Sequence, residues 1–239
     1  MAASGASAQM TALDATSNNL ANARTVGFKA DQAVFQEHLI QAMYAGSAQR
    51  EMRYAGVAAV TSDHAAGPIQ VTGQPLDVAV DGEGFFVVQG ARGVSYTRAG
   101  AFHVTEAGQL VTADGQAVLD TAERPLAVAP GLGEARIDAQ GALRVGDEVM
   151  GQLKLVRFDS PERLEREGNQ RYLGTKQSGP PVAMVGSLLE GAVEMPNVSV
   201  VNGMTQLVSA SRTFETLQRA VEVFSELEHR AANDIVSGV

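Results

Sequence analysis

Small and apolar residues at Ala3, Ala6, Met10, Leu13, Ser17 and Leu20 recur at alternating spacings of three and four. That rhythm predicts a helix over residues 3–20 whose seam packs beside another helix. The seam is thin, and a helix this short is marginal in water without a partner. At the far end Val200, Leu207, Phe214, Val221, Glu228 and Ile235 fall seven apart, and Gly203, Ala210, Leu217, Phe224 and Ala231 follow the first five by three. One helix is predicted over residues 200–236, about 55 Å long at 1.5 Å per residue. Glycine and alanine in its seam permit close approach of helix backbones, and Glu228 interrupts the row with a charge. Such a helix is longer than a domain of this size is wide, so much of it must meet other helices.

Between the helices the pattern changes to short alternating runs: Leu76, Val78 and Val80 on one strand face, then Phe85 to Val88, Tyr96 to Arg98, Phe102 to Val104 and Leu110 to Thr112. Arg92-Gly93, Ala99-Gly100, Ala107-Gly108 and Asp114-Gly115 mark turns, Asp-Gly being a hairpin signal because both positions tolerate positive φ. Leu153, Leu155 and Phe158 extend the pattern, and Ser160-Pro161-Glu162 reads as the start of a short helix over 161–167. The expected class is α+β: a central antiparallel β-rich domain over 76–185, flanked by helical segments at 1–40 and 186–239 that pair in coiled-coil fashion. Residues 41–75 show no sustained period and read as a connector. Gly179-Pro180-Pro181 marks the exit from the β domain.

Composition narrows the function more than it names it. The 45% hydrophobic content of the 239 residues suffices for a packed core, and no apolar run reaches membrane-spanning length. The start lacks the basic-then-apolar pattern of a cleavable export signal. A net charge of −9 without a basic cluster argues against nucleic acid. With no cysteine, thiol nucleophiles, thiolate metal sites and disulfides are all excluded.

The chemistry of enzymes is hard to find. His38, His64, His103 and His229 are scattered without zinc spacing, no serine sits in a Gly-x-Ser-x-Gly elbow, and no lysine-bearing phosphate loop is present. Gly82-Glu83-Gly84 reads as a tight turn or bulge rather than a dinucleotide loop. Asp77, Asp81 and Glu83 read as solvated strand positions, and the run from Glu162 to Glu167 as a solvated helix face. Neither catalysis nor a cofactor or metal is expected.

Three segments carry a resemblance. Ser17-Asn18-Asn19-Leu20-Ala21-Asn22 with Thr25-Val26-Gly27-Phe28-Lys29, then Leu76 to Phe86 with Tyr96-Thr97-Arg98-Ala99-Gly100-Ala101-Phe102, then Gly191 to Val198 with Arg212-Thr213-Phe214-Glu215, resemble in order the signatures of the flagellar rod and hook family. The resemblance implies a structural subunit, exported through the flagellar type III channel, that stacks helically with copies of itself and other rod proteins in the basal body. Two departures stand out. Family members carry several residues before the Ala-Ser-Gly-Ala that begins here at Ala3, so a shortened first helix is expected. Pro196 also stands where Ser usually precedes Asn-Val, so the turn into the last helix is expected to differ.

Residue physics leaves two readings of Asn18, Asn19 and Asn22. Asparagine is a poor helix former, so the three mark either a frayed helix end or amides that bond between adjacent subunits, the reading the resemblance favours. Gly27 suits a turn at positive φ, and Phe28 either an assembly anchor or an ordinary core residue. The expected subunit interface is Met10, Leu13, Ser17, Asn18, Asn19, Leu20, Asn22, Gly27 and Phe28 at one end. At the other it is Val200, Leu207, Ala210, Phe214, Leu217, Val221, Phe224, Ala231 and Ile235. The rival reading from a different class is a ligand- or peptide-binding β module dimerised by its helices.

Overall fold

The computed structural model describes residues 2–42, 50–90, 92–128, 133–168, 170–184 and 186–237. The side chains of 2–6, 35–42, 50–58, 224–225 and 227–237 lie outside that description. In chain order the elements are helix α1 (Ala2–Ala21), then β1 (Asp31–Ala42), β2 (Arg50–Ser62), β3 (Ile69–Val71), β4 (Val78–Asp81), β5 (Phe85–Gly90) and β6 (Gly93–Thr97). Next come β7 (Phe102–Val104), β8 (Leu110–Thr112), β9 (Ala135–Ile137), β10 (Ala142–Val145), β11 (Glu148–Gln152) and β12 (Leu155–Arg157). The last are β13 (Glu165–Glu167), β14 (Arg171–Leu173), β15 (Val182–Ala183), β16 (Ser187–Glu190), β17 (Ala192–Glu194) and helix α2 (Val200–Ser237). The class is α+β, and the pairings among β3 to β17 are antiparallel. The chain forms two compact units, one of Met1–Ala21, Asp31–Thr61 and Ser199–Val239, the other of Asn22–Ala30 and Ser62–Val198.

In the helical unit α1 packs along α2 and against β1, while β1 and β2 form a two-stranded sheet. The face α1 turns inward overlaps only in part with the seam its apolar rhythm marks. Ala8 and Ala15 are buried, whereas Met10 is 55% exposed, Ser17 is exposed, and Leu13 and Leu20 are half-buried. Alanine wins this face because it lets two helix backbones come close and loses no rotamer freedom. On α2 the predicted seam does turn inward: Gly203 is buried, and Leu207, Ala210, Phe214 and Leu217 are half-buried. Val200 and Val221 sit at its edges, 38% and 37% exposed. Phe224, Ala231 and Ile235 fall outside the described side chains.

The β unit is built around a six-stranded sheet ordered β13-β14-β6-β5-β12-β15. Its inner strands bury both faces. Phe86 and Val88 of β5 and Leu155 of β12 enter one cluster with Phe102, Leu110, Leu143 and Leu188, while Phe85, Val87 and Val156 enter a second with Tyr96, Phe158 and Tyr172. Continuous apolar runs such as Phe85 to Val88 therefore mark a sandwiched strand rather than a half-exposed one. The end of the unit folds back on its beginning, since β16 pairs with β4 and β17 with β3.

Two local expectations are corrected. The segment after Ser160 makes only one 3-10 turn, Pro161–Arg163, and Ser160 gives no side-chain cap. Residues Glu165–Glu167 then extend as β13 and pair with β14, with Glu167 accepting a bond from Ser95 Oγ at 2.7 Å. Tertiary pairing overrides a helical charge pattern too short to sustain itself. The stretch read as a connector contains regular structure, β2 and β3. The turns at Gly93, Gly108 and Gly115 are as expected, each with positive φ.

Phe86 is fully buried and meets the Phe102 ring edge-on at 5.2 Å. Truncating it to alanine should cost about 3–5 kcal/mol, seen as a lower urea midpoint for the β unit.

Candidate functional site

Among the described residues, a buried ionic cluster lies inside the β unit. Gly27, in the tight passage after Asn22, adopts φ +69°, and a Cβ there would strike the backbone of Arg98 and Ala99. Its N–H donates to the Glu194 carbonyl at 2.7 Å, which seats the following Phe28 fully out of solvent. The Arg166 guanidinium covers the Phe28 ring at 4.8 Å and donates to Lys29 O and Ser62 Oγ.

Lys29 comes next, 1% exposed, with its Nζ donating to Glu194 Oε1 and to Ala65 O, each at 2.6 Å. Glu194 is 2% exposed and takes a second bond at Oε1 from the Gly67 N–H, at 2.8 Å. Its other oxygen lies 3.3 Å from Arg98 Nε, while Arg98 Nη2 donates to Gly82 O at 2.6 Å. Burial lowers the Lys29 pKa, and the hydrogen bond and charge of Glu194 oppose that shift. The desolvation cost of the cluster is offset by close opposite charges and by the bonds at Glu194 Oε1, while Glu194 Oε2 and Arg98 Nη1 are buried without a hydrogen-bond partner.

Asn197 completes the arrangement. Its Oδ1 accepts the Ala30 N–H at 2.8 Å, and its Nδ2 donates to Asp63 O at 2.9 Å and Ala65 O at 3.3 Å. The Asp63 N–H donates in turn to Ala30 O at 2.7 Å. Pro196 beside it is buried. Next to the cluster His64 stands edge-on to Tyr172 at 4.9 Å and to Phe85 at 5.4 Å, with neither ring nitrogen hydrogen-bonded. Desolvation, then the charges of Lys29, Arg166 and Arg98, push its pKa down from 6.5 to about 4 against the weaker pull of Asp63.

The predicted assembly residues divide between the units. Gly27 and Phe28 belong to the cluster's surroundings, and Asn22 is buried near them, bonded to Thr25 Oγ1. In the helical unit Asn19 exchanges two bonds with the Asp31 backbone, at 2.8 and 2.7 Å, and Asn18 donates to Asp31 Oδ2 at 3.0 Å. These amides join the end of α1 to the start of β1. Lys29, Arg98, Glu194 and Asn197 went unassigned in the sequence, although each stands inside one of the three signature segments. A charged residue within an otherwise apolar or small-residue signature was the available signal. The arrangement can hold segments together, and it presents no nucleophile or paired acid. Among the described residues no group of His, Asp and Glu gathers as a metal site, and Asp77 accepts a bond from Thr72 Oγ1 at 2.6 Å.

Replacing Lys29 with methionine leaves Glu194 buried with one cation fewer, so the β unit should lose about 3–5 kcal/mol, read from urea unfolding. His64 binds its proton in the unfolded chain at higher pH than in the fold, so the unfolded state holds more protons between about pH 6.5 and 4. Stability should be complete above that window and fall through it by roughly 3 kcal/mol as pH drops. His64→Phe should remove this part of the slope in pH-dependent denaturation.

Comparison with known proteins agrees in order and extent. Residues 1–29 match the family described as flagella basal body rod protein, 79–145 the flagellar hook protein FlgE/F/G D1 domain, and 189–234 the flagellar basal body rod FlgEFG protein C-terminal region. The chain is 33% identical to the flagellar basal-body rod protein FlgF of Mesorhizobium japonicum over 85% of its own length and 83% of the relative's. It is 30% identical to FlgF of Caulobacter vibrioides over 95% and 94%. With the rod protein FlgG of Bacillus subtilis it shares 30% identity over 93% of each chain. With signatures, domain matches and full-length relatives in one register, the chain belongs to the flagellar basal-body rod protein family.

Proposed function

We propose that this chain is a structural subunit of the bacterial flagellar rod, of the FlgF type and in its proximal part, with no catalytic role. The observation that carries the reading is kinship with rod proteins along nearly the whole chain, 95% in one case. Similarity to FlgG-type relatives makes a distal-rod position the alternative.

The helices suit such a role. Their mutual face is lined with small residues, and Met10, Val201, Met204 and Val208 remain 53% to 74% exposed on their outer faces. Exposed apolar side chains of this size mark surfaces that other molecules cover. In the proposed assembly these faces, together with the coiled-coil-like seam from Val200 to Ile235 and the α1 residues Met10, Leu13, Ser17 and Leu20, meet copies of the chain and other rod proteins. Delivery is by the flagellar type III export apparatus, and the working site is the basal body where it crosses the periplasm. Helical stacking would let the subunit pass torque from motor to hook.

Labelled chain in purified basal bodies should localise to the proximal rod; label confined to the distal rod would favour the alternative, and label absent from the rod would overturn the reading. Leu217→Asp should prevent incorporation while the β unit keeps its circular dichroism, because an unpaired charge in a helix seam is costly.

A further inference from the structure

The chain passes between its two units at residues 21/22, 30/31, 61/62 and 198/199. On the β unit's side, three of these passages converge on one side chain. Asn197, two residues before the last passage, accepts from Ala30 beside the second and donates to Asp63 beside the third. Ala30 and Asp63 are also bonded directly through their backbones. Lys29 ties the same three stretches again through Ala65 O and Glu194, and Glu194 adds Gly67 and the Gly27 N–H. Arg166 closes the set with bonds to Lys29 O and Ser62 Oγ.

We propose that Asn197 and the Lys29–Glu194–Arg98 cluster form a load clamp, which makes residues 22–30, 62–67 and 192–197 part of the β unit's cooperative fold. A pull entering along one passage is then shared by the others and by the core, instead of peeling one segment away. The physical reason is that one carboxylate, Glu194, holds both cations, so its segment cannot leave alone. Withdrawing Lys29 leaves Glu194, 2% exposed, with one cation fewer, and withdrawing the Glu194 segment strands Lys29 and Arg98 together. Asn197 adds geometry to that cost. One planar amide with an acceptor and a donor engaged on different segments keeps Ala30 and Asp63 in fixed register. The purpose of the device rests on the torque-bearing role proposed above; its existence does not.

Hydrogen exchange on the purified full-length chain tests it. In the wild type the amides of Gly27, Ala30 and Gly67 should exchange within about threefold of the core amides of Val87 and Leu119, all through one global opening. Glu194→Gln should lower protection of both groups together, on the order of a hundredfold or more. Asn197→Ala should release Ala30 and Asp63 and let the three segments exchange at separate rates while Val87 and Leu119 hold. Asn197→Asp, which keeps the acceptor, should preserve Ala30. Segment amides that exchange far ahead of the core in the wild type would overturn the clamp. So would variants that disturb only their own bonded amide. Rod incorporation is scored separately in cells. A clamped chain that never enters the rod defeats the functional reading, and an incorporated chain whose segments exchange independently defeats the clamp.

Discussion

A carboxylate removed from water must find its counter-charges and donors inside the protein, and Glu194 finds them on residues as far back in the chain as Lys29. That requirement organises the β unit. Lys29 must come in from the N-terminal side, Arg98 from the loop after β6, and the Gly67 amide from the stretch between β2 and β3. Space is rationed around it: a Cβ on Gly67 would collide with Met195 O, and one on Gly100 with Val78 O. These glycines serve close backbone approach, while Gly27 serves both approach and a left-handed turn.

The packing of the β unit follows from the same convergence. Its six-stranded sheet is covered on both faces by apolar side chains of its own, with Tyr172 and Phe85 linking the second cluster to His64. His64 stays neutral beside three cations because its surroundings are aromatic and dry. The β unit therefore includes residues from both ends of the chain's middle, Asn22–Ala30 as well as Ser62–Val198.

The helical unit works by a different principle. Ala8, Ala15 and Gly203 are buried where α1 packs along α2, with Leu207, Phe214 and Leu217 half-buried on the same seam. The larger apolar groups, Met10, Val201, Met204 and Val208, are left facing outward.

Sequence periodicity by itself determined both helices, the β character of the middle and several of its glycine turns, because each depends on local spacing or on φ. Three ordered signatures determined the family. What the three signatures have in common was visible only in three dimensions: Lys29, Arg98 and Glu194, one from each, meet in a single buried cluster. Spacing along the chain carries no sign of a contact across 165 residues. Tertiary structure likewise decided which face of α1 turns inward, since small-residue packing competed with an apolar rhythm that local reading weights more heavily. It turned the charged run after Pro161 into a strand through pairing with β14, a partner that only the folded sheet supplies.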